Sequence, residues 1–269
     1  MTIGEARRLA AARVGALDAR YLVAWACGIG PSEVVGAVHN PMPDGSEARL
    51  MRAVARREDG WSVAHVTGEA RFWGRSFAVT EHVLSPRPET ESLVALALAR
   101  PFGSVLDLGT GSGCIAVTLL AEMPGASGTA TDLSLEALSC AEENAVRHGV
   151  RDRLDLRQGD WWETVSGSFE LIVSNPPYIA DHEMTALSAE VLREPHMALT
   201  PGGDGLAAYR VICGGLKAAL SPGGRALLEI GPAQGRAVAD LMRNGGLEDV
   251  TVHPDMDGRD RVVEGRRLA

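Results

Sequence analysis

The segment SNPPY, residues 174–178, places a planar amide, two prolines and an aromatic ring directly after an apolar run at 169–173. Each proline lacks the N–H that a β-ladder needs and has a fixed φ, so a strand is expected to end here in a stiff, extended corner. Two prolines alone are also typical of an ordinary loop. In an open α/β sheet, however, the carboxyl ends of the strands are where ligands bind.

Such a corner can bind a planar amide or aromatic amine, whose nitrogen is a poor nucleophile because its lone pair is delocalised. The Asn175 side-chain oxygen and a backbone carbonyl, for which we choose Pro176, can each accept one N–H of that group. Two such bonds fix its plane and stabilise positive charge that develops on nitrogen. Tyr178 can cover the planar group. No general base is needed before transfer, since the nitrogen loses its proton after alkylation, so the segment predicts methylation of a planar nitrogen.

A second set of candidate residues is the glycine loop in VLDLGTGSGC, residues 105–114. Gly109, Gly111 and Gly113 let the backbone approach a ligand closely and open a helix whose first amides face that ligand. The next predicted strand ends at Asp132, where a carboxylate can accept hydrogen bonds from ribose hydroxyls. The loop and the acid together predict a cofactor that contains a nucleoside.

The spacing of the loop indicates which cofactor. The dinucleotide fingerprint G-x-G-x-x-G/A needs a small residue where this chain has Cys114, which disfavours a dehydrogenase. Asp107, just before the loop, would repel a pyrophosphate but can help to hold a cationic amino-acid end through water or backbone. Its alternative role is to cap the loop through local hydrogen bonds. We therefore expect S-adenosylmethionine, which has no phosphate.

The sequence GDWWE, residues 159–163, follows the third predicted strand. Asp160 is expected to accept from the adenine amino group, and Trp161 or Trp162 to pack on the ring, with at least one tryptophan in the core. No metal is expected, because none of the seven histidines has a metal-ligand spacing and the four cysteines form no C-x-x-C pair. The cysteine pattern is also typical of a reducing cytoplasm.

The remaining sequence predicts the elements that position these residues. From about residue 88, strand and helix patterns alternate, which predicts an α/β fold with a doubly wound, mostly parallel, Rossmann-like sheet. Residues 1–60 have helical patterns and little strand pattern, which predicts a small helical bundle. Residues 69–84 alternate around a Gly74-Arg75 turn, which predicts a β-hairpin between the two parts.

The composition limits the partners. The 269 residues carry a net charge of −9 with a pI near 5.3, so binding to nucleic acid through phosphates is not expected as the main activity. Arginines at 7–8 and 49–57 are interpreted first as solvated helix faces and second as a partner surface. No apolar run approaches the ~20 residues of a membrane span, and no signal peptide is expected, so we expect a cytoplasmic protein without membrane contact.

The combination of NPPY with a G-x-G-x-G loop resembles the amino-methyltransferases of adenine, cytosine and glutamine amide. Further segments resemble the peptide chain release factor glutamine methyltransferases of the HemK type, from end to end of the chain. They are AHVTGEARFWG (64–74), LSPRPETESLV (84–94), LDLGTGSGCIAV (106–117), ATDLSLEAL (130–138), IVSNPPYI (172–179), REPHMAL (193–199), LLEIG (227–231) and DGRDRVVEGR (257–266). The pairing of PRPETE with NPPY is the most specific of these features.

The resemblance implies a helical substrate-recognition domain at 1–66, a hairpin linker at 67–86 and an S-adenosylmethionine-dependent methyltransferase domain at 87–269. It implies N5-methylation of the glutamine in the Gly-Gly-Gln loop of release factors, and we expect a monomer. PRPETE (86–91) would close over cofactor and substrate. The implied cofactor contacts are Gly109, Thr110, Gly111, Ser112, Gly113, Asp132, Asp160, Trp161 and Asn175; the implied substrate contacts are Asn175, Pro176, Pro177, Tyr178, Arg87 and Glu89.

Two places depart from the family pattern, Ser85 before PRPETE and Trp61-Ser62 before the hairpin. Neither touches the NPPY segment, and both lie near the expected domain junction. Three alternatives remain open. They are methylation of a ribosomal-protein glutamine, methylation of adenine N6 in nucleic acid, which would need a basic groove and room for a flipped base, and cofactor binding without turnover.

Overall fold

The computed structural model describes residues 1–268, which form two compact units. The first unit is Met1–Glu69 with Ser188–Arg193, and the second is Ala70–Leu187 with the chain from Glu194 onward. In the described residues, no helix is long and apolar enough to span a membrane. The helices are α1 (Ile3–Val14), α2 (Ala16–Cys27), α3 (Glu33–Gly36), α4 (Ser46–Glu58), α5 (Val63–Thr67), α6 (Glu91–Leu98), α7 (Cys114–Glu122), α8 (Leu135–Arg147), α9 (Asp181–Met184), α10 (His196–Leu199), α11 (Ala207–Ala219) and α12 (Gly235–Asn244). The strands are β1 (Glu69–Phe72), β2 (Arg75–Ala78), β3 (Ser104–Leu108), β4 (Ser127–Asp132), β5 (Leu154–Gln158), β6 (Phe169–Ser174), β7 (Leu220–Glu229), β8 (Glu248–Pro254) and β9 (Asp260–Arg266).

The first unit is the predicted helical bundle of α1 to α5. Thr2 begins α1 with a capping box, in which its hydroxyl accepts from the Glu5 amide and the Glu5 carboxylate accepts from the Thr2 amide. Ser62, one of the two departures from the family pattern, caps α5 by accepting from the His65 amide. The Ser62 position therefore has a local structural reason.

Two segments group differently from the expected domain boundaries. Residues 188–193 were expected within the methyltransferase domain but belong to the first unit. Arg57 pairs with Glu190 at 2.9 Å, and the Arg193 guanidinium lies 5.7 Å from the centre of the Trp61 ring. The hairpin belongs to the second unit, because its phenylalanines Phe72 and Phe77 are buried in that unit's core.

The hairpin also differs from its prediction in detail. The predicted Gly74-Arg75 turn is wrong by one residue, since β1 ends at Phe72 and β2 begins at Arg75. Trp73 and Gly74 form the turn, with φ of 50° and 70°. Two successive positive φ values are typical of the tight hairpin turn that matches strand twist. Positive φ is rare for a tryptophan, so ordinary turn preferences do not predict Trp73 in the turn.

The second unit contains a seven-stranded sheet in the order β5-β4-β3-β6-β7-β9-β8. The first five strands are parallel, and β9 is antiparallel to both β7 and β8. The predicted doubly wound, mostly parallel sheet is thus confirmed. The chain order reverses between β3 and β6, and such a switch point opens a crevice at the carboxyl ends of the two strands.

Alternate residues of the central strands enter two hydrophobic cores. Val105 and Leu171 pack in the core that also holds α6 and α7, whereas Leu106 and Ile172 pack in the core that holds α11 and α12. Because both faces are covered, β3 and β6 carry apolar residues on both faces rather than on one face alone. Ser174 Oγ donates to the Leu108 carbonyl at 2.6 Å, so the ends of the two strands are tied together at the crevice.

Candidate active site

A cavity of about 420 Å³ lies in the second unit, in the size range of sites for small molecules. Its wall includes the carboxyl end of β4 and the segments that follow β3 and β6. The predicted site residues that line it are Arg87, Gly109, Thr110, Gly111, Ser112, Asp132, Asp160, Trp161, Asn175 and Pro177. Four further predicted residues are not in the wall, namely Gly113, Pro176, Tyr178 and Glu89.

The glycine loop is closed by its own hydrogen bonds. The amides of Gly109 and Thr110 both donate to the Thr131 carbonyl at 2.9 Å, which holds the loop against the end of β4. Gly109, Gly111 and Gly113 have φ of 71°, 56° and 77°, a region that side chains rarely adopt. The loop therefore needs glycine for its conformation as well as for access to a ligand.

A buried asparagine supports this loop from behind. Asn144 on α8 is fully buried, and its Nδ2 donates to the Ser112 carbonyl at 2.9 Å and to the Ala78 carbonyl at 3.0 Å. Its Oδ1 accepts from the Ala78 amide at 2.7 Å. One side chain thus joins the glycine loop, α8 and the end of the hairpin.

Asp132 lies where the sequence predicts, at the end of β4, and its carboxylate is already engaged. Oδ2 accepts from the Gly111 amide at 2.8 Å and Oδ1 from the Ser134 amide at 2.9 Å. Burial raises its pKa, and these amides oppose the shift. Since each carboxylate oxygen has a further acceptor site, Asp132 can still accept from a ligand hydroxyl.

Asp107 is completely buried below the loop and does not line the cavity. Its Oδ2 accepts from the Thr110 hydroxyl at 2.7 Å, and burial raises its pKa to about 7. This geometry supports the loop-capping alternative rather than contact with a cationic ligand group.

The two adjacent tryptophans have different positions. Trp161 lines the cavity and lies against Gly109, with a φ of 46° that turns it there. Trp162 packs against α11 at Gly215, where a Cβ would lie 2.3 Å from its ring, and its indole donates to the Val211 carbonyl at 3.0 Å. One tryptophan faces the cavity while the other packs against a helix.

The SNPPY segment leaves two acceptors open. Asn175 Nδ2 donates to the Thr90 hydroxyl at 3.3 Å. Within residues 1–268, no hydrogen bond reaches Asn175 Oδ1 or the carbonyl of the buried Pro176. The Tyr178 carbonyl accepts from Gln234 Nε2 at 2.8 Å, so the segment is held beyond its prolines. Burial raises the pKa of Tyr178 to about 12, and the phenol keeps its proton.

Charged groups lie close to this segment. Arg87 lines the cavity and pairs at 2.5 Å with Glu194, whose side chain is buried. Glu229, at the end of β7, is 1% exposed, and burial raises its pKa to about 7 against the opposing effects of the Thr90 hydroxyl and Arg261. Among the described side chains, no group of three or more His, Cys, Asp or Glu residues is arranged to hold a metal ion.

Sequence reasoning missed part of the wall. Two of the missed residues directly follow predicted site residues, so position alone was a usable signal for them. Those from the long connection after β6 carry no spacing signal, because the fold alone brings them to the cavity. The missed residues include Cys114, Ile115, Leu133, Met197, Ala198, Thr200, Pro201, Ala207, Ala208 and Val211.

Comparison with solved structures supports the fold. A methyltransferase from Pyrococcus furiosus has a TM-score of 0.57 at 17% identity, covering 83% of this chain and 98% of that one. The hMettl16 catalytic domain, solved in complex with the MAT2A 3′UTR hairpin 6, has a TM-score of 0.59 at 17% identity, covering 84% and 82%. At this identity the likenesses show the fold alone.

Comparison with protein families and curated proteins is more specific. The family described as Methyltransferase small domain matches residues 89–209, and that described as PrmC N-terminal domain matches residues 6–68. The release factor glutamine methyltransferase of Cereibacter sphaeroides is 56% identical over 262 residues, covering 96% of this chain and 94% of that protein. That of Moorella thermoacetica is 41% identical over 268 residues, covering 96% and 95%. The resemblance seen in the sequence is confirmed, and the chain belongs to the release factor glutamine methyltransferase family.

Proposed function

We propose that this protein transfers a methyl group from S-adenosylmethionine to the side-chain amide nitrogen of the Gly-Gly-Gln glutamine of peptide chain release factors. The observation that carries the proposal is the pair of open acceptors at Asn175 Oδ1 and the Pro176 carbonyl. A primary amide has two N–H donors on one planar nitrogen, and two neighbouring acceptors match them.

The residues of the glycine loop fit S-adenosylmethionine. The loop offers backbone without phosphate-binding charge, Asp132 can accept from ribose hydroxyls, and Trp161 presents an aromatic face near Gly109. Asp160 is exposed at the cavity wall, where it can accept from an adenine amino group. When bound, this cofactor supplies an electrophilic methyl group on a positively charged sulfur.

The protein's own contribution is to orient and polarise the amide. Acceptance of both N–H groups by Asn175 and Pro176 holds the amide plane and favours positive charge on its nitrogen. The lone pair becomes available as conjugation with the carbonyl decreases, and the nitrogen then releases one proton to water. No side chain is assigned as a general base.

The remaining groups are proposed to hold the substrate. Pro177 gives the glutamine a rigid wall, Tyr178 lies directly beyond it in the chain, and Arg87 and Glu89 contact the loop that carries the glutamine. The first unit is proposed to recognise the rest of the release factor. We propose that a monomer acts without nucleic acid or metal.

Mass spectrometry of a release factor incubated with this protein and S-adenosylmethionine tests the proposal. We expect a gain of one methyl, about 14 Da, on the Gly-Gly-Gln glutamine, and no gain on a matched release factor in which that glutamine is alanine. Transfer to a ribosomal protein or to adenine instead would overturn the substrate assignment. Binding of S-adenosylmethionine without transfer to any of these would indicate a binding protein.

A further inference from the structure

Thr90 connects two segments that the sequence keeps apart. It lies in PRPETE, is 2% exposed, and accepts from Asn175 Nδ2, a residue 85 positions away. Its backbone amide already donates to the Arg87 carbonyl at 3.1 Å, so its hydroxyl is not needed to cap its own turn. The hydroxyl also lies beside the carboxyl group of Glu229, where it opposes the effect of burial on the pKa of that group.

Glu229 is held in place by the sheet. It is the last residue of β7, whose neighbour β6 pairs Ser174 with Leu228 immediately before Asn175. On its other side it pairs with Val262 of β9, and its backbone carbonyl accepts from the Tyr209 hydroxyl at 2.7 Å. Its Oε2 has no hydrogen-bond partner in residues 1–268. A buried carboxylate of this kind strongly requires donors.

The inventory of donors then determines the orientation of the Asn175 amide. The Thr90 oxygen accepts from Asn175 Nδ2, and the hydroxyl hydrogen of Thr90 cannot occupy the same direction as that N–H. The Thr90 oxygen is left as an acceptor, and only the NH₂ end of Asn175 can donate to it. The oxygen end of the amide must therefore point away from Thr90.

We propose that Thr90 is a positioning residue that holds the Asn175 carboxamide with Oδ1 toward the methyl-accepting amide. Without it, the carboxamide can rotate and present its NH₂ group, which repels the N–H groups of the substrate. The inference rests on the proposed function and assigns to PRPETE a role in orientation of the NPPY asparagine.

The kinetic test uses conservative variants. Thr90→Val keeps the shape and removes the hydroxyl, and we expect kcat on a release factor to fall about 10- to 100-fold, with KM and the Kd for S-adenosylmethionine changed less than about threefold. Thr90→Ser should restore kcat to within about threefold of the wild type. Thr118→Val is the matched control, because Thr118 is fully buried in α7 and its hydroxyl has no partner within residues 1–268.

A spectroscopic test does not depend on turnover. The chain has four asparagines, Asn40, Asn144, Asn175 and Asn244, so selective ¹⁵N-asparagine labelling gives four side-chain NH₂ pairs. In Thr90→Val we expect the Asn175 pair to shift and to lose protection from hydrogen exchange. The Asn144 pair, with two buried acceptors, is the internal reference and should not change.

The outcomes separate this inference from the proposed function. Wild-type transfer with an equally active Thr90→Val and an unchanged Asn175 pair would overturn the positioning role alone. Loss of kcat in Thr90→Val that Thr90→Ser does not restore would also overturn it. A wild type that transfers no methyl would overturn the proposed function, and the NMR result would still decide whether Thr90 orients Asn175.

Discussion

The ends of β3 and β6 are neighbours in the sheet but are built in opposite ways. After β3, backbone groups of the glycine loop are hydrogen-bonded to Thr131, Asp132 and Asn144, and its glycines adopt conformations that other residues avoid. After β6, two prolines fix the chain, and Asn175 and Pro176 keep acceptors open. The glycine loop is thus suited to binding a ligand through its shape. The SNPPY segment is suited to binding a specific pair of N–H donors.

The difference indicates where binding and where rate enhancement originate. A loop that is already internally bonded changes little when a ligand arrives, so its residues contribute mainly to affinity. Acceptors that bind the reacting nitrogen, the role proposed for Asn175 and Pro176, contribute mainly in the transition state, where the charge develops. Substitutions on the two sides should therefore separate cofactor affinity from kcat.

The largest expected effect comes from Asn175→Ala. We expect kcat on a release factor to fall by about 10³-fold, the upper end for loss of one group that stabilises transition-state charge. The Kd for S-adenosylmethionine should change less than about tenfold, and the melting temperature should be retained. Asn244→Ala, at an exposed asparagine, is the control. Full activity of Asn175→Ala would remove the amide-binding mechanism.

The next effect concerns the buried carboxyl group of Glu229, the last residue of β7. Glu229 has a pKa of about 7 in the folded protein, above the ordinary 4.5, so the folded state binds this proton more tightly than the unfolded chain. Its contribution to stability is therefore lost as pH rises from about 4.5 to about 7. Glutamine does not titrate, so Glu229→Gln removes this loss. The unfolding free energy of the variant minus that of the wild type should therefore be about 2–3 kcal/mol larger at pH 8 than at pH 5.

Denaturant unfolding at the two pH values measures this gain. Glu248→Gln, at an exposed position of β8, is the control. A stability gain that is equal at both pH values would show that Glu229 does not titrate in this range.

On the loop side, Asp132→Ala should weaken S-adenosylmethionine binding by about 1–3 kcal/mol, the range for lost hydrogen bonds to a charged group. Once the cofactor is saturating, kcat should be nearly unchanged. Titration calorimetry measures the affinity, and Asp240→Ala, an exposed aspartate on α12, is the control. An unchanged affinity would place the ribose away from Asp132.

The smallest effect tests the glycine conformation itself. Gly111→Ala should lower the unfolding free energy by about 1–2 kcal/mol, because φ is positive although the space around it is open. Gly214→Ala, in the middle of α11 and also without close neighbours, should raise it by about 0.5–1 kcal/mol. If both variants changed the unfolding free energy in the same direction, the explanation from the positive φ of Gly111 would be contradicted.

Local patterns predicted the elements that carry local signals. The glycine loop, Asp132 and SNPPY each follow an apolar strand, and all three reach one sheet edge. The sequence alone leaves two roles for Asp107, ligand contact and loop capping, because burial decides between them and local patterns do not show burial.

The long-range side-chain contacts that support the site were not predictable from the sequence. Thr90 and Asn175 are 85 residues apart, and Asn144 meets the Ala78 backbone from 66 residues away. No spacing rule links such pairs, because the sheet order brings them together. The hairpin turn was placed one residue late for a local reason, since a tryptophan at positive φ contradicts ordinary turn preferences.

The grouping of residues 188–193 with the helical unit has a practical consequence. The chain passes between the two units three times, after residues 69, 187 and 193. Cleavage in the hairpin therefore breaks only one of three covalent tethers. A protein shortened to start at residue 70 would keep Glu190 and Arg193 but lose Arg57 and Trp61, the groups they contact. The helical unit is thus completed by a segment encoded more than a hundred residues after it, and neither unit can be obtained intact by one cut in the gene.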